Sequence, residues 1–432
     1  MGQLALKGGA PVRDVKSNSW PQWPVWDEHD EKALLDVLHS GVWSYNGPKE
    51  KQFNDAFAEF IGAKYSLLAA NGTVTLQLAL EACSVGYGDE VIVPGLTWQA
   101  TAASALDINA IPIFVDVTED TWCIDPAKVE EAITPKTKAI IPVHLYGCMV
   151  DMDVIMDIAQ KHSLRVIEDC AHKHGGQWKD RRAGSIGDIG SFSFQLSKLM
   201  TAGEGGALTT SDPELYERLD ALRNCGRRPE QDTGADKGAG IYSDEGNFLQ
   251  SGNYRITDFQ AALLLEALRR LPEQNRLRQE NAEYFNAQLS DLHGVLPMRR
   301  DRRETEEAYY NFSFRYRQEQ FRNLPVERFR EALGAELGCP VEASYEPLNA
   351  CALYTPHTKP WRYKLTQEHF GRIDPSLYDL PVCHRVYTKE SVCFHHTVLM
   401  GAKTDMDMIV EAIEKIYRHA DELVSLDFPS GS

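Results

Sequence analysis

The chain reads as an α/β protein, a mostly parallel sheet covered by helices in a large domain, followed by a smaller α+β domain at the C-terminal end. Three observations predict this. From about residue 60 to 210, short apolar runs alternate with helical patterns. Those runs are apolar on both faces, as strands covered on both sides must be. Beyond a long helical pattern at 256–285 the alternation is lost. The division expected is an arm over 1–30, a large domain over 31–260, a small domain over 261–425 and a tail over 426–432. A chain of 432 residues is long enough to bury two cores.

Taken in order, Leu76, Leu80 and Cys83 fall at helical spacing ahead of the first strand candidate, EVIVP (90–94). IPIFVDV (111–117) and AIIPVHLYG (139–147) follow as strands, and Ile155, Ile158 and Ala159 mark the next helix. RVIEDCA (165–171), IGSFSF (189–194) and GALTTS (206–211) complete the set. Functional groups in such sheets gather at the carboxyl ends of the strands. The polar, glycine-rich stretch 224–255 predicts a long surface excursion able to close over a site. In ITDFQAALLLEALRRLPEQNRLRQENAEYF (256–285), Ile256, Phe259 and Leu263 share one helix face, and Pro272 is expected to bend or interrupt it. YYNFSFRY (309–316) reads as a strand and DMDMIVEAIEKIYRHADEL (405–423) as a closing amphipathic helix.

Composition excludes some functions. A formal charge of −18 with no long Lys/Arg run argues against nucleic-acid or anionic-membrane binding. The nine cysteines are scattered, with no C-x-x-C pair, so neither a zinc site nor a disulfide framework is signalled. No apolar leader or membrane-length run appears, and a cytoplasmic location is expected.

The chemistry centres on SFSFQLSKLMTAGEGGALTTSD (191–212), where Lys198 stands between two apolar strands ahead of Gly203, Gly205 and Gly206. A solvated loop lysine is the plain reading; an amine with a chemical task is the other. Gly72 and Thr73 open a helix, which makes either an ordinary cap or an anion site. Trp98 ends a strand, as a core residue or as a ring stacked on a flat ligand. Asp169, beside Glu168 at the end of an apolar strand, is either a cap or surface charge or the partner of a pyridinium nitrogen. Ser193, five residues before Lys198, offers a hydroxyl to a phosphate. Together these groups describe the requirements of pyridoxal 5′-phosphate (PLP): a lysine for its aldehyde, a carboxylate for its ring nitrogen, an aromatic face, and a helix start with hydroxyls for its phosphate.

At this point NGTVTLQLAL, GDEVIVPGLTW, PVHLYG, EDCAHKHGG, GDIGSFSFQLSKLMTAGEGG and SGNYR resemble the fold-type I PLP aminotransferases of the DegT/DnrJ/StrS family, over nearly the whole chain. The resemblance implies that Lys198 bonds the cofactor and Asp169 pairs with its ring nitrogen. Trp98 would stack on the ring, while Ser193, Gly72 and Thr73 would hold the phosphate. Asn253 would reach a phosphate in a neighbouring subunit, which implies a homodimer. His172 stands where many members carry glutamine against the cofactor's phenolic oxygen; an imidazole N–H can serve there, or the ring can simply pack. Lys198 argues against the dehydratase branch, which carries histidine instead.

SNSWPQWPVW (17–26), the LTW of the aromatic motif and CFHHTVLMG (393–401) are most similar to L-glutamine-dependent aminotransferases of keto-cyclitols such as scyllo-inosose and 2-deoxy-scyllo-inosose in aminoglycoside pathways. KLMTAGEGG and the double histidine also resemble aminohydroxybenzoate synthases. Nucleotide-linked keto-sugars are a third acceptor class, and a silent PLP-binding partner protein a fourth reading, against which the intact Lys198, Asp169 and Ser193 count. His144, Tyr146, Tyr345, His395 and His396 are candidates to line the acceptor pocket. Adjacent histidines on a strand should point to opposite faces, and with no third ligand evident no metal is expected.

Overall fold

The computed structural model describes residues 2–45, 47–227 and 248–425. Its strands are Tyr65–Ala69 (β1), Glu90–Pro94 (β2), Ile111–Val115 (β3), Thr137–Ile140 (β4), Arg165–Asp169 (β5), the short Gln177–Trp178 (β6) and Arg181–Arg182 (β7), then Ile189–Ser193 (β8) and Gly206–Thr210 (β9). Seven of them form the central sheet in the order β1-β9-β8-β5-β4-β2-β3, and only β9 runs against the rest. All five residues of β2, β8 and β9 are buried, the two-sided cover that their unbroken apolar runs require.

Two details differ from the sequence reading. β1 is a strand that the pattern did not single out. The run at 139–147 leaves the sheet at Ile140, because Pro142 has no N–H for the ladder; Val143 returns only as an isolated bridge to Asp169.

Beyond the sheet, Val295–Pro297 (β10) and Glu304–Glu306 (β11) precede Asn311–Tyr316 (β12) and Ser391–His395 (β13). Strands β10, β12 and β13 form an antiparallel sheet. Helices Val326–Leu337 and Lys403–Arg418 help to build a second apolar core with it, including Phe312, Phe314, Phe329, Ile409 and Ile413. The expected helical pattern at 405–423 is thus a helix ending at Arg418 and a further turn, Ala420–Val424.

Pro272 does not interrupt its helix, which runs unbroken from Asp258 to Leu289. A proline there removes the N–H that would bond Leu268 and costs about 3 kcal/mol in a free helix. Packing at both ends outweighs that. Ala261, Leu264, Leu268 and Leu271 lie in the main core, while Ala282, Phe285 and Leu289 lie in the second.

The N-terminal segment is fastened to the second core by ionic contacts. Arg13 reaches Asp405 at 2.5 Å, and Glu336 accepts from the Ala5 N–H and from Lys415 Nζ, both at 2.8 Å. From there the chain runs back to the connection between β8 and β9, where Trp23 Nε1 donates to the Leu196 carbonyl. Among the described residues no helix is long and apolar enough to cross a membrane. Part of the 224–255 excursion, residues 228–247, lies outside the described residues.

Candidate active site

The carboxyl ends of β5 and β8 and the chain between β8 and β9 bring the predicted groups together. Lys198 is buried, and the apolar surroundings depress its ammonium to about 8, with the nearby Asp169 pulling the other way. Its Nζ lies 4.1 Å from the centre of the Tyr310 ring. The loop reading of this lysine therefore fails on burial. An amine kept easily deprotonated in a dry site is a nucleophile in waiting.

Asp169 is buried with few partners. Its carboxylate accepts from Thr101 Oγ1 at 3.1 Å and from the Ala171 N–H at 3.2 Å, and burial raises its pKa in spite of them. Glu168, one residue earlier, faces the other side of the strand. There it accepts from the N–H groups of Gly184 (3.0 Å), Ile186 (2.7 Å) and Gly187 (2.7 Å) and meets His144 Nε2 at 3.2 Å. His144 is fully buried, and its Nδ1 accepts the Val150 N–H at 3.2 Å. Both of its nitrogens are thus engaged inside the protein. The expected role of His144 in an acceptor pocket is corrected: it is Glu168's internal partner. His144, Glu168 and Cys170 offer three ligand-type atoms within 4.8 Å of one another, yet Glu168 is already covered by N–H donors.

His172 stacks on Tyr310 with ring centroids 4.0 Å apart. Burial first, then the Lys198 charge, holds its pKa well below 6.5, so the ring is neutral. The Tyr146 N–H points at its Nδ1 (3.3 Å), which places the ring's proton on Nε2, 3.2 Å from the Tyr345 hydroxyl. His172 is therefore a fixed Nε2–H donor, directed at the Tyr345 hydroxyl. Tyr345 bonds Tyr310 in turn, and Tyr310's hydroxyl lies 2.9 Å from Ser197 Oγ. Ser197 donates to Gln195 Oε1 at 2.7 Å. Donor direction is thus set along the whole line from His172 to the residue before Lys198.

At the phosphate end, Asn71 caps the helix Gly72–Ala82, taking the Val74 N–H at 2.9 Å and the Thr75 N–H at 3.1 Å. The first two N–H groups, of Gly72 and Thr73, remain for an anion. The helix start presses on β8 so closely that a Cβ on Gly72 would lie 2.6 Å from Ser193 Cβ. Glycine is required there, and the Ser193 hydroxyl is brought to the helix start. Trp98 is half-exposed, with its ring 5.8 Å from that of Tyr345, so it is not the core residue of the plainer reading. These residues fit PLP: an orphan-like buried carboxyl awaits a cationic ring nitrogen, a buried amine awaits an aldehyde, and a glycine-cut cradle awaits a phosphate.

Tyr146 and Tyr345 stand in the same cluster, the Tyr146 hydroxyl accepting the Tyr345 N–H at 2.8 Å. The double histidine departs from expectation. β13 ends at His395 and a 3-10 turn begins at His396, so the two rings lie 4.1 Å apart instead of on opposite faces. His395 is spent on Ser197 and Thr397, and His396 is fully buried edge-on to Trp23. His395's nitrogens are thus already engaged, while His396's two nitrogens have no hydrogen-bond partner but are shut inside the protein. The substrate role expected of the pair is corrected for His395 by its bonds and for His396 by its burial. Asn253 is exposed, with its Oδ1 accepting the Arg255 N–H.

Three participants were not singled out from sequence. Thr101 lies three residues beyond Trp98, at the spacing that shares a helix face. Tyr310 read only as part of a strand. His174, whose Nε2 meets the Ser193 carbonyl at 2.9 Å, carried no distinguishing signal.

Comparison with known proteins agrees with this geometry. The profile of the DegT/DnrJ/EryC1/StrS aminotransferase family matches residues 24–391. The L-glutamine:2-deoxy-scyllo-inosose aminotransferase of Streptoalloteichus tenebrarius is 43% identical over 426 residues, 97% of this chain and 99% of its own length. The L-glutamine:scyllo-inosose aminotransferase of Streptomyces griseus is 40% identical, with 97% and 99% covered. Among solved structures, 3-amino-5-hydroxybenzoic acid synthase superposes with a TM-score of 0.77 at 31% identity, over 94% of this chain and 99% of that one. An aminotransferase from Psychrobacter cryohalolentis gives 0.79 at 31% identity, over 93% and 100%.

Proposed function

The chain belongs to the DegT/DnrJ/EryC1/StrS aminotransferase family, and from that premise we propose that it moves the amino group of L-glutamine to a keto-cyclitol, 2-deoxy-scyllo-inosose or scyllo-inosose, in aminoglycoside assembly. It is a PLP-dependent aminotransferase. The observation that carries the reaction is the buried Lys198 amine, depressed to about 8, set near the under-partnered carboxyl of Asp169. The acceptor rests on near-full-length similarity to relatives named for those two ketones.

When bound, PLP stores the amino group between the two half-reactions and draws electrons from the carbon that loses its proton. Lys198 Nζ would hold the cofactor by its aldehyde carbon at rest and, once released by the donor amine, would be the base for the proton on the donor's α-carbon. Asp169 would keep the proton on the ring nitrogen, because a buried carboxylate and a cationic N–H stabilise each other's charged forms. His172 Nε2–H, which meets the Tyr345 hydroxyl in the structure, would turn to the cofactor's phenolic oxygen when the cofactor is bound. Gly72, Thr73 and Ser193 would hold the phosphate, and Trp98 would cover the ring. Tyr146 and Tyr345 present hydroxyl-bearing rings to an uncharged polyol ketone.

The same proposal includes a homodimer and a cytoplasmic setting. Trp26, Leu35, Leu38, Val42 and Trp43 are exposed apolar side chains on the arm, on the helix Glu28–Ser40 and just after it, suited to a second copy, and the exposed Asn253 would reach that copy's phosphate. Sedimentation giving the mass of a single chain would remove the shared site. All nine cysteines are unpaired, as in a reducing compartment; cell fractionation checks the location.

The deciding assay is two-step absorbance. L-Glutamine should bleach the yellow cofactor-loaded protein, and a keto-cyclitol should restore the colour. Restoration only by a nucleotide-linked keto-sugar would replace the acceptor, and no bleaching by any amino donor would remove the aminotransferase activity.

A further inference from the structure

The twelve residues between β8 and β9, 194–205, contain Lys198 but no strand. Where the lysine amine stands therefore depends on what holds that connection. Two remote segments donate to the two peptide carbonyls just before it. From the arm, Trp23 Nε1–H bonds the Leu196 carbonyl at 2.8 Å. From the end of β13, His395 Nε2 bonds the Ser197 carbonyl at 3.0 Å. A carbonyl only accepts, so His395 carries its proton on Nε2, while its Nδ1 faces the Thr397 hydroxyl at 3.1 Å. Thr397 thus fixes the tautomer that the clamp needs.

The clamp is itself braced. His396 meets the Trp23 ring edge-on, with centroids 4.5 Å apart at 90°, and the buried Arg278 guanidinium lies 5.7 Å from the same ring. Leu196 is half-exposed, so its carbonyl has no enclosing core to hold it once Trp23 lets go. Tyr310 completes the arrangement: its hydroxyl lies 2.9 Å from Ser197 Oγ and its ring faces Lys198 Nζ.

We propose that Trp23 and His395 are positioning residues for Lys198: by holding the Leu196 and Ser197 carbonyls they keep the lysine amine over Tyr310 and in line with the cofactor's aldehyde. The tether of the arm to the second core through Arg13 and Glu336 is not needed for this; what matters is the indole N–H at one carbonyl and the imidazole N–H at the next. The proposal rests on Lys198 being the cofactor-bonding lysine.

The test uses the holoenzyme with Trp23→Phe, His395→Leu and His395→Gln, the last retaining an N–H near the position of Nε2. Three quantities are read: the pH midpoint of the visible band of the lysine-bound cofactor, kcat and donor KM, and the melting temperature. Loss of one neutral hydrogen bond sets the scale, about three- to tenfold. Trp23→Phe and His395→Leu should each lower kcat by that factor and shift the midpoint, leaving KM within about twofold, and His395→Gln should recover most of the loss. Unchanged kcat and midpoint in both variants, at any melting temperature, would overturn the inference, as would an effect confined to KM. The parent reading fails differently: Lys198→Ala would then keep the lysine-bound band, which Trp23→Phe retains in either case.

Discussion

Glu168 and Asp169 are adjacent, both buried, both at the carboxyl end of β5, and they have opposite fates. Glu168 accepts three backbone N–H groups and faces His144, and these hold its pKa below the ordinary 4.5 even though burial is the largest single influence on it. Asp169 has one backbone N–H and one threonine hydroxyl, and burial wins, raising it above 3.8. The alternation of a strand puts the two on opposite faces, one toward packed backbone and one toward the site. A fully satisfied buried carboxylate is structure, whereas a buried carboxyl left short of partners is held for a cation that arrives later.

The largest expected effect falls on the cation that Asp169 already faces. Lys198→Ala should lower transamination by at least about a thousandfold. Ordinary turnover in that variant would show that another group moves the proton. Lys198 also makes a stability statement. Its folded pKa of about 8 lies below the ordinary lysine value of 10.5, so the unfolded chain holds the proton more tightly. Folding therefore carries a cost below pH 8 that fades as pH rises from 8 to 10.5. Cofactor-free Lys198→Met should be more stable than the parent by on the order of 3 kcal/mol at neutral pH. Urea titrations at pH 7 and pH 10 should show that margin shrinking; a constant margin would mean the amine is not desolvated.

Next comes the pair itself. Glu168→Gln turns an amide N–H₂ toward backbone donors and should cost about 2 to 3 kcal/mol. Asp169→Asn should leave the cofactor-free protein as stable or more so, because Thr101 Oγ1, already 3.1 Å from Thr97 Oγ1, can turn to accept the new amide. The pH signs also differ. Glu168's contribution is complete above about 4.5 and is lost as pH falls through its lowered folded value. Asp169's ionisation opposes folding, and acid relieves it. Equal losses in the two variants would abolish the distinction.

How much of this was legible beforehand follows the same line. The apolar runs set β2, β3, β5, β8 and β9 within two residues, because two-sided burial leaves a plain mark, whereas β1 was passed over and the run at β4 continued past the sheet. Lys198, Asp169, Ser193 and Gly72 were legible because their residue types are improbable at strand and helix ends unless something uses them. His144 was misread, since its role depends on Glu168, a residue 24 positions away. The histidine pair was misread because the end of β13 at His395 has no sequence mark. Tyr310 and His174 act through contacts with distant segments, which periodicity does not encode. Pro272 signalled a break that packing into two cores overrode.

The smallest effect is expected at His172, and it refines the contrast by asking what a neutral group does between charged ones. Its Nδ1 accepts the Tyr146 N–H and its Nε2–H points outward along the tyrosines. With its pKa well below 6.5 it cannot protonate in the working range, since burial and the neighbouring Lys198 charge both oppose a second proton. No limb of the rate–pH profile between 6 and 7 should belong to it. His172→Gln supplies an amide N–H at similar reach and removes nothing that titrates, so kcat should stay within about fivefold of the parent with an unshifted pH profile. His172→Ala loses the donor and leaves Tyr310 without its stacked ring, 4.0 Å away, so it should fall further than the glutamine variant. If instead His172→Gln removed an acidic limb from the profile, the imidazole would be a titrating catalyst, and the site would hold three working ionisable groups instead of two.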